Sequence, residues 1–520
     1  MANGNLSMFV NRVNKMLAKL VKTILQYLHL RREFKKTKKS SKLKDEFVVF
    51  NSIKSDELVF GVEFLILLMI SRKGAKCAGI IDDGVFSHHD FIQKCNNFNY
   101  INPQKKQIYI WRRKLLSLLH RCISKNIEIV YVSQLKDVTW CPADQYIVDN
   151  LCVKHAVSST KRYFQVAFYD KTDKDQKTYY DLSYINSQLS IKIACFVLNC
   201  GATKYLTSHG IYSCWGPAYD YLAYKQFQNV YIYGTNTYKS GEVFISKEKL
   251  QLQSKCNFLR SNILIELEKN QILDAEAYLD SRVNKKTKDN RVYYNFDLRS
   301  IKIDKSKRNI FLFPNVIWDG DIPEKDTLFS GLVDWITETI KFAAKHKDIN
   351  LYIRFHPAET SWYKNSAKLQ DTIIPLTSDI VADNIFFILS GDNIDLYDVI
   401  PEIDLLVLYD GILSVESAYL KKPFMLASTG RFSVDRFGAI PQNKMEYFDA
   451  LINYNPSAID LEYVYQLGLK LTYIYHFLIS VPIPSISNNT TDFGVDLTKC
   501  NASNLDLDNN KKLQRMLGLL

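Results

Sequence analysis

Between Asn350 and Arg431 the chain reads NLYIRFHPAE and, after a connector, IDLLVLYDGILSVESAYLKKPFMLASTGR. Two apolar runs, Leu351–Ile353 and Ile403–Leu408, each end in a polar turn. Short apolar runs bounded by turn residues suit strands buried on both faces, which a parallel sheet between helices provides. The first turn offers Arg354 and His356-Pro357. The second offers Asp410-Gly411, followed by a helix that carries Glu416 and closes at Lys421-Lys422-Pro423. Strands that empty into helix N-termini are where α/β sheets take anionic, nucleotide-like ligands.

The same alternation runs through the rest of the chain. Expected strands are Phe47–Phe50, Cys77–Ile81, Ile127–Val132, Lys204–Thr207 and Val230–Tyr233, with helices between them such as Glu57–Ser71 and Ala218–Gln226. A second series starts at strand Asn309–Phe313 and closes with strand Phe424–Ala427. Strand alternating with helix implies parallel, doubly wound sheets. A length of 520 residues fits two domains of about 200 residues plus extensions. The charged run Lys285–Arg291 (KKTKDNR) sits between the two series and places a boundary near residue 300. The expected divisions are a basic helix and tether (1–45), an N-terminal lobe (46–300), a C-terminal lobe (301–455), and a bracing helix with a polar tail (456–520). Helix Leu461–Ser480 is amphipathic and suited to brace both lobes across a cleft. The tail after Pro484 is polar and expected to be poorly ordered.

Residues 6–30 space Leu6, Phe9, Val10, Val13 and their successors to Leu28 at three and four, an apolar stripe on a helix. Twelve Lys/Arg residues crowd into Arg12–Lys44 against one acid, Glu33, and supply most of the net charge of +12. Such a helix and tether (6–44) suit an anionic membrane surface. They equally suit packing on the protein's own body or against a partner helix. The remaining charge is nearly balanced, without a basic groove interleaved with aromatics, so nucleic acid is not an expected partner. The ten cysteines show no CxxC pair and no zinc spacing, as in a reduced cytoplasmic compartment. No apolar run reaches the roughly 18 residues that span a bilayer.

Arg354 offers a planar fork for phosphate oxygens, and His356, aimed by Pro357, can hydrogen-bond a phosphate and offset charge on a leaving nucleotide. Gly411 allows close backbone approach, with Asp410 and Ser414 beside it, and Glu416 suits ribose hydroxyls. The other lobe offers candidate bases at its strand ends. His209 follows strand Lys204–Thr207 and precedes Gly210; Asp83 and His88, after strand Cys77–Ile81, are rivals. Tyr212 and Trp215 suit stacking on a sugar, or burial.

RFHPAE, then DLYDVIPEIDLLVLYDGILSVESAYLKKPFML, then DRFGAIPQNKMEYFDAL resemble the bacterial capsule and surface-polysaccharide synthesis transferases, which include the capsule Kdo transferases. PNVIWDGD (Pro314–Asp321) is similar to that family's donor lobe. More distantly, SHGIYSCWGP (Ser208–Pro217) paired with RFHP resembles the polyol-phosphate transferases of teichoic-acid synthesis. The likeness covers about residues 300–455 closely and about 75–235 loosely.

This resemblance implies a GT-B-like fold, two Rossmann-type lobes facing a cleft. It implies transfer of a sugar from a nucleotide-sugar donor to a saccharide or lipid-linked acceptor of a growing capsule or lipopolysaccharide, without a tightly bound metal or other cofactor. Arg354 and His356 would contact donor phosphate, Glu416 the ribose, and His209 the acceptor hydroxyl. The second turn departs from the family, which usually carries hydroxyl residues where this chain has Asp410 and Gly411. The enzyme would work in the cytoplasm, at the inner face of the membrane if the N-terminal helix binds there. Other readings are a polyol-phosphate transferase, a non-hydrolysing sugar-nucleotide epimerase, a GT-A enzyme using Asp319-Gly320-Asp321 as a metal-binding DxD, and an inactive scaffold of a polysaccharide-assembly complex.

Overall fold

The computed structural model describes residues 21–53, 57–88, 110, 114–115, 117–235, 241–247, 249, 262–284, 303–316, 318, 328–361, 367–392, 396–428, 430, 432–455, 459–484, 486–489 and 492–519. Two sheets organise it. The first lobe contributes β1 (Phe47–Asn51), β2 (Lys76–Ile81), β3 (Ile127–Tyr131), β4 (Lys204–Ser208), β5 (Val230–Thr235) and β6 (Glu242–Ser246). The second contributes β7 (Arg308–Phe313), β8 (Ile349–Arg354), β9 (Ile385–Ile388), β10 (Leu405–Leu408) and β11 (Phe424–Leu426). Strands such as FVVFN and LLVL are buried at every residue, as parallel strands covered by helices on both faces must be.

The parallel strands of the first sheet run β3-β2-β1-β4-β5, with β6 added antiparallel at the β5 edge. The second sheet runs β9-β8-β7-β10-β11, all parallel. Renumbered within its own lobe, each sheet has the order 3-2-1-4-5. Both lobes therefore have the Rossmann order, and each has its topological switch point between its first and fourth strands. The fold is α/β and GT-B-like. In the first lobe the switch point lies between β1 and β4, in the second between β7 and β10.

The helices that matter most here are α1 (residues 21–36), α2 (Glu57–Ser71), α3 (Gln145–Phe164), α4 (Lys174–Asn199), α5 (Tyr212–Tyr224), α6 (Lys269–Val283), α7 (Leu413–Tyr419) and α8 (Leu461–Tyr473). Asp173 starts α4 by accepting hydrogen bonds from the backbone N–H groups of Asp175 and Gln176.

Helix α8 packs on the second lobe and leads into the edge of the first lobe's sheet. Gly468 lies where a Cβ would come within 2.9 Å of the Ala418 Cβ, so α8 packs closely on α7. The chain then passes through a π-helical turn, Ile474–Leu478, into β12 (Ser480–Pro482), which pairs antiparallel with β6 of the first sheet. A core cluster joins the lobes, holding Ile232 of β5, Ala275 and Leu279 of α6, Phe311 of β7, Val415 of α7 and Leu467 of α8.

The tail after Pro484 corrects one expectation. Ile486–Asn489 and Asp492–Val495 form a hairpin, and Lys511–Met516 is helical. Leu505, Leu507, Leu513 and Leu517 are buried in the first lobe's core beside Tyr27, Leu30 and Phe34 of α1. Tyr231 Oη donates to the Leu517 carbonyl at 3.0 Å, and Lys73, 1 % exposed, pairs with Asp506 and Asp508 at 2.6 and 2.8 Å. The tail is part of the folded lobe because its scattered leucines meet an apolar surface made by the other chain end. The boundary near residue 300 lies outside the described residues.

Candidate active site

The turn after β4 holds His209 and Gly210 at the first lobe's switch point. His209 has φ 51° and Tyr212 φ 65°, with Gly210 at 69° between them. Left-handed non-glycine residues are uncommon, and two within four residues mark a turn held by its surroundings. At Gly210 a Cβ would sit 3.1 Å from Ile232 Cγ2 and 3.2 Å from the Tyr219 ring, so only glycine fits without a shift. The half-buried His209 ring lies 6.1 Å from that of Trp215 and 6.4 Å from that of Phe244, with Nδ1 2.6 Å from Ser208 Oγ. When Nδ1–H donates to that hydroxyl, Nε2 carries the lone pair that a base requires. Trp215 and Tyr212 are buried in the lobe's core, which accounts for both.

Helix α5, which follows this turn, is pinned from behind. The His155 ring occupies the space where a Cβ of Gly216 would be, and its Nε2 is 2.9 Å from Asp220 Oδ2. Burial pushes the Asp220 carboxyl up. Lys249 at 2.6 Å, His155 and Lys154 at 3.0 Å outweigh that and hold it well below the ordinary carboxylate range.

Neither rival to His209 lies at the switch point, since β2 is on the far side of β1 from β4. Asp83 accepts from Ser133 N–H at 3.1 Å and Ser133 Oγ at 2.6 Å, tying the end of β2 to the end of β3. His88 is 3 % exposed; its Nδ1 accepts from Asn186 Nδ2 at 3.0 Å, and Nε2 lies 3.1 Å from Ser183 Oγ. With both ring nitrogens bonded to α4, His88 is a core histidine.

In the second lobe, Asp410-Gly411 follows β10 one residue later than His209-Gly210 follows β4, with the buried Tyr409 between. Gly411 has φ 133° with open space where its Cβ would be, so the backbone there is approachable. The Asp410 carboxyl turns onto Gly430, where a Cβ would be 2.1 Å from Cγ. Ser414, fully buried, donates its hydroxyl to the Gly411 carbonyl at 2.8 Å and so steadies the turn. Glu416 meets Arg282 Nε of α6 at 2.5 Å, both nearly buried.

The β8 turn separates its two expected ligands. Arg354 directs its guanidinium at the carbonyls of Phe355 (2.9 Å), Leu389 (2.5 Å) and Asp392 (3.1 Å). Burial holds its pKa down at about 10. These bonds staple the β9 end to the β8 turn. His356 Nδ1 accepts from the Ala358 N–H at 3.1 Å, so the neutral ring carries its proton on Nε2 and is a donor there.

Comparison with known proteins follows this geometry. No family model and no curated protein matches the chain. Among solved structures it is similar to the β-Kdo 2,7-transferase of Thermosulfurimonas dismutans KpsC, at 12 % identity and a TM-score of 0.35, over 59 % of this chain and 85 % of that one. It is also similar to the β-Kdo 2,4-transferase of the same KpsC (11 %, TM-score 0.34, 61 % and 88 %). A third is the UDP-GlcNAc 2-epimerase of Neisseria meningitidis bound to UDP-GlcNAc (12 %, TM-score 0.22, 82 % and 97 %). Likeness of this degree leaves the reaction to be argued from the site itself.

Sequence reasoning missed Ser208 as the partner of His209, though it stood in the quoted motif. It also missed Arg282, whose only signal was a basic residue near the end of a polar helix. Asp319-Gly320-Asp321 lies outside the described residues, and among the described residues no three metal-ligating side chains cluster.

Proposed function

We propose that this chain is a metal-independent glycosyltransferase that moves a sugar from a nucleotide-sugar donor onto a growing bacterial surface polysaccharide. One observation carries the reading: two sheets of the same 3-2-1-4-5 order, each with a polar residue and a glycine within three residues of the end of its fourth strand. Crevices at such switch points are where doubly wound sheets bind ligands. The donor would sit on the second lobe and the acceptor on the first.

In this reading His209 Nε2 takes the proton of the acceptor hydroxyl as that oxygen attacks the anomeric carbon. The bond from that carbon to the nucleotide's phosphate oxygen breaks, and the electron pair leaves with the nucleotide. His356 Nε2–H donates to a departing phosphate oxygen, and the open backbone at Gly411 lets the phosphates come close. Glu416, oriented by Arg282, takes the ribose hydroxyls. Arg354 holds the His356 turn in shape. A polyol-phosphate transferase would use the same two histidines, and the order SHG…RFHP favours it as the second reading; the two differ in whether phosphate travels with the transferred group.

Thermal shift against free nucleotides tests the donor site. One nucleotide is expected to stabilise the protein, by about 2.7 kcal/mol at a hundred times its Kd. No response to any nucleotide would favour the inactive scaffold. His356→Ala is expected to keep the unliganded melting temperature and lose most of that shift along with transfer. Undiminished turnover would remove His356 from the reaction.

A further inference from the structure

Helix α1 has two apolar faces. Tyr27, Leu30 and Phe34 are buried in the first lobe's core. About 140° around the helix, Val21, Ile24, Leu25 and Leu28 stand in solvent, 36 to 60 % exposed. These four fall within about 100° of one another, and the exposed Arg32 and Lys35 continue the same line one turn further on. The described part of the stripe, Val21 to Leu28, is therefore not the face that docks on the body.

The helix cannot roll to hide that face without breaking its fastenings. Tyr27 Oη is 2.9 Å from His120 Nε2, and His29 Nε2 is 2.9 Å from the Cys500 carbonyl. Arg72 donates to the carbonyls of Lys35 and Thr37 at 2.9 and 2.6 Å. The stripe is held outward on a rigid mount.

We infer that this face of α1 docks on an anionic lipid bilayer. Charge complementarity decides for a bilayer. Residues 22–44 hold nine Lys/Arg against one acid, Glu33, which is itself neutralised by Lys36 at 2.5 Å. An apolar stripe that gives way to cations along one line matches a surface whose acyl chains lie under a layer of phosphates. The inference is independent of the transfer reaction.

Co-sedimentation of the full chain with phosphatidylcholine vesicles, with and without phosphatidylglycerol, tests it. Binding is expected to require phosphatidylglycerol and to weaken as salt is raised. Leu25→Asp/Leu28→Asp should lower partitioning on the order of a hundredfold, and Arg32→Ala/Lys35→Ala about thirtyfold. Both variants should keep the wild-type melting temperature and nucleotide shift, which separates this result from any failure of the donor site. The inference is overturned if the wild-type chain ignores phosphatidylglycerol vesicles, or if both variants bind as the wild type does. It is equally overturned if Leu25→Asp/Leu28→Asp splits an oligomer seen by light scattering while vesicles go unbound, because the face would then join copies of the chain.

Discussion

His209→Ala is expected to lower kcat by about a hundred- to ten-thousandfold, the range for losing a general base, while donor KM changes little. Rapid-quench turnover at saturating donor measures the first, and initial rates across donor concentration the second. A loss confined to donor KM would move His209 from the proton transfer to the nucleotide site. Because the residue sits at φ 51°, an asparagine, which tolerates that conformation, is the better control for fold. His209→Asn should melt with the wild type and turn over no faster than the alanine variant. Ser208→Ala should fall between, since the imidazole keeps its place but loses the partner 2.6 Å away that selects its tautomer.

The second large effect concerns stability. Arg282→Ala leaves the Glu416 carboxylate buried without its guanidinium partner, and removal of one member of such a pair costs about 3–5 kcal/mol. The melting temperature should drop by several degrees. Replacing both partners with apolar residues, Arg282→Met/Glu416→Leu, should recover most of that loss, since well-packed apolar side chains substitute for a buried ion pair. If Glu416 also holds ribose, the double variant should fold well and still bind nucleotide weakly. Recovery of both stability and nucleotide binding would make the pair structural alone.

The strands were legible because a parallel sheet covered on both faces asks for unbroken apolar runs, and LYI and LLVL are such runs. The equal strand order of the two lobes was not legible, since hydrogen-bonded neighbours such as β1 and β4 are far apart in the chain. His209 and Gly411 stood out at strand ends for a local reason. The partners of Arg354 were hidden for a nonlocal one: its carbonyl acceptors at Leu389 and Asp392 lie on a loop that nothing near RFHP announces. Glu416 shows the same limit, with Arg282 on a helix of the preceding segment. The tail was read as disordered from its polar composition, yet the leucines at 505, 507, 513 and 517 have no period and needed the surface of α1 to give them a place.

That tail also sets a timetable for synthesis. The sheet opened by Phe47–Asn51 is completed by Ser480–Pro482, and its core by leucines close to the C-terminus. All five strands of the second lobe have left the ribosome by then. At about 5–20 residues per second, the first lobe waits roughly 10 to 50 seconds after its sixth strand for its last one. The lobe made first is finished last. Through that interval α2, with Leu65, Ile66, Leu67 and Leu68 in unbroken sequence, is the segment that a chaperone would hold.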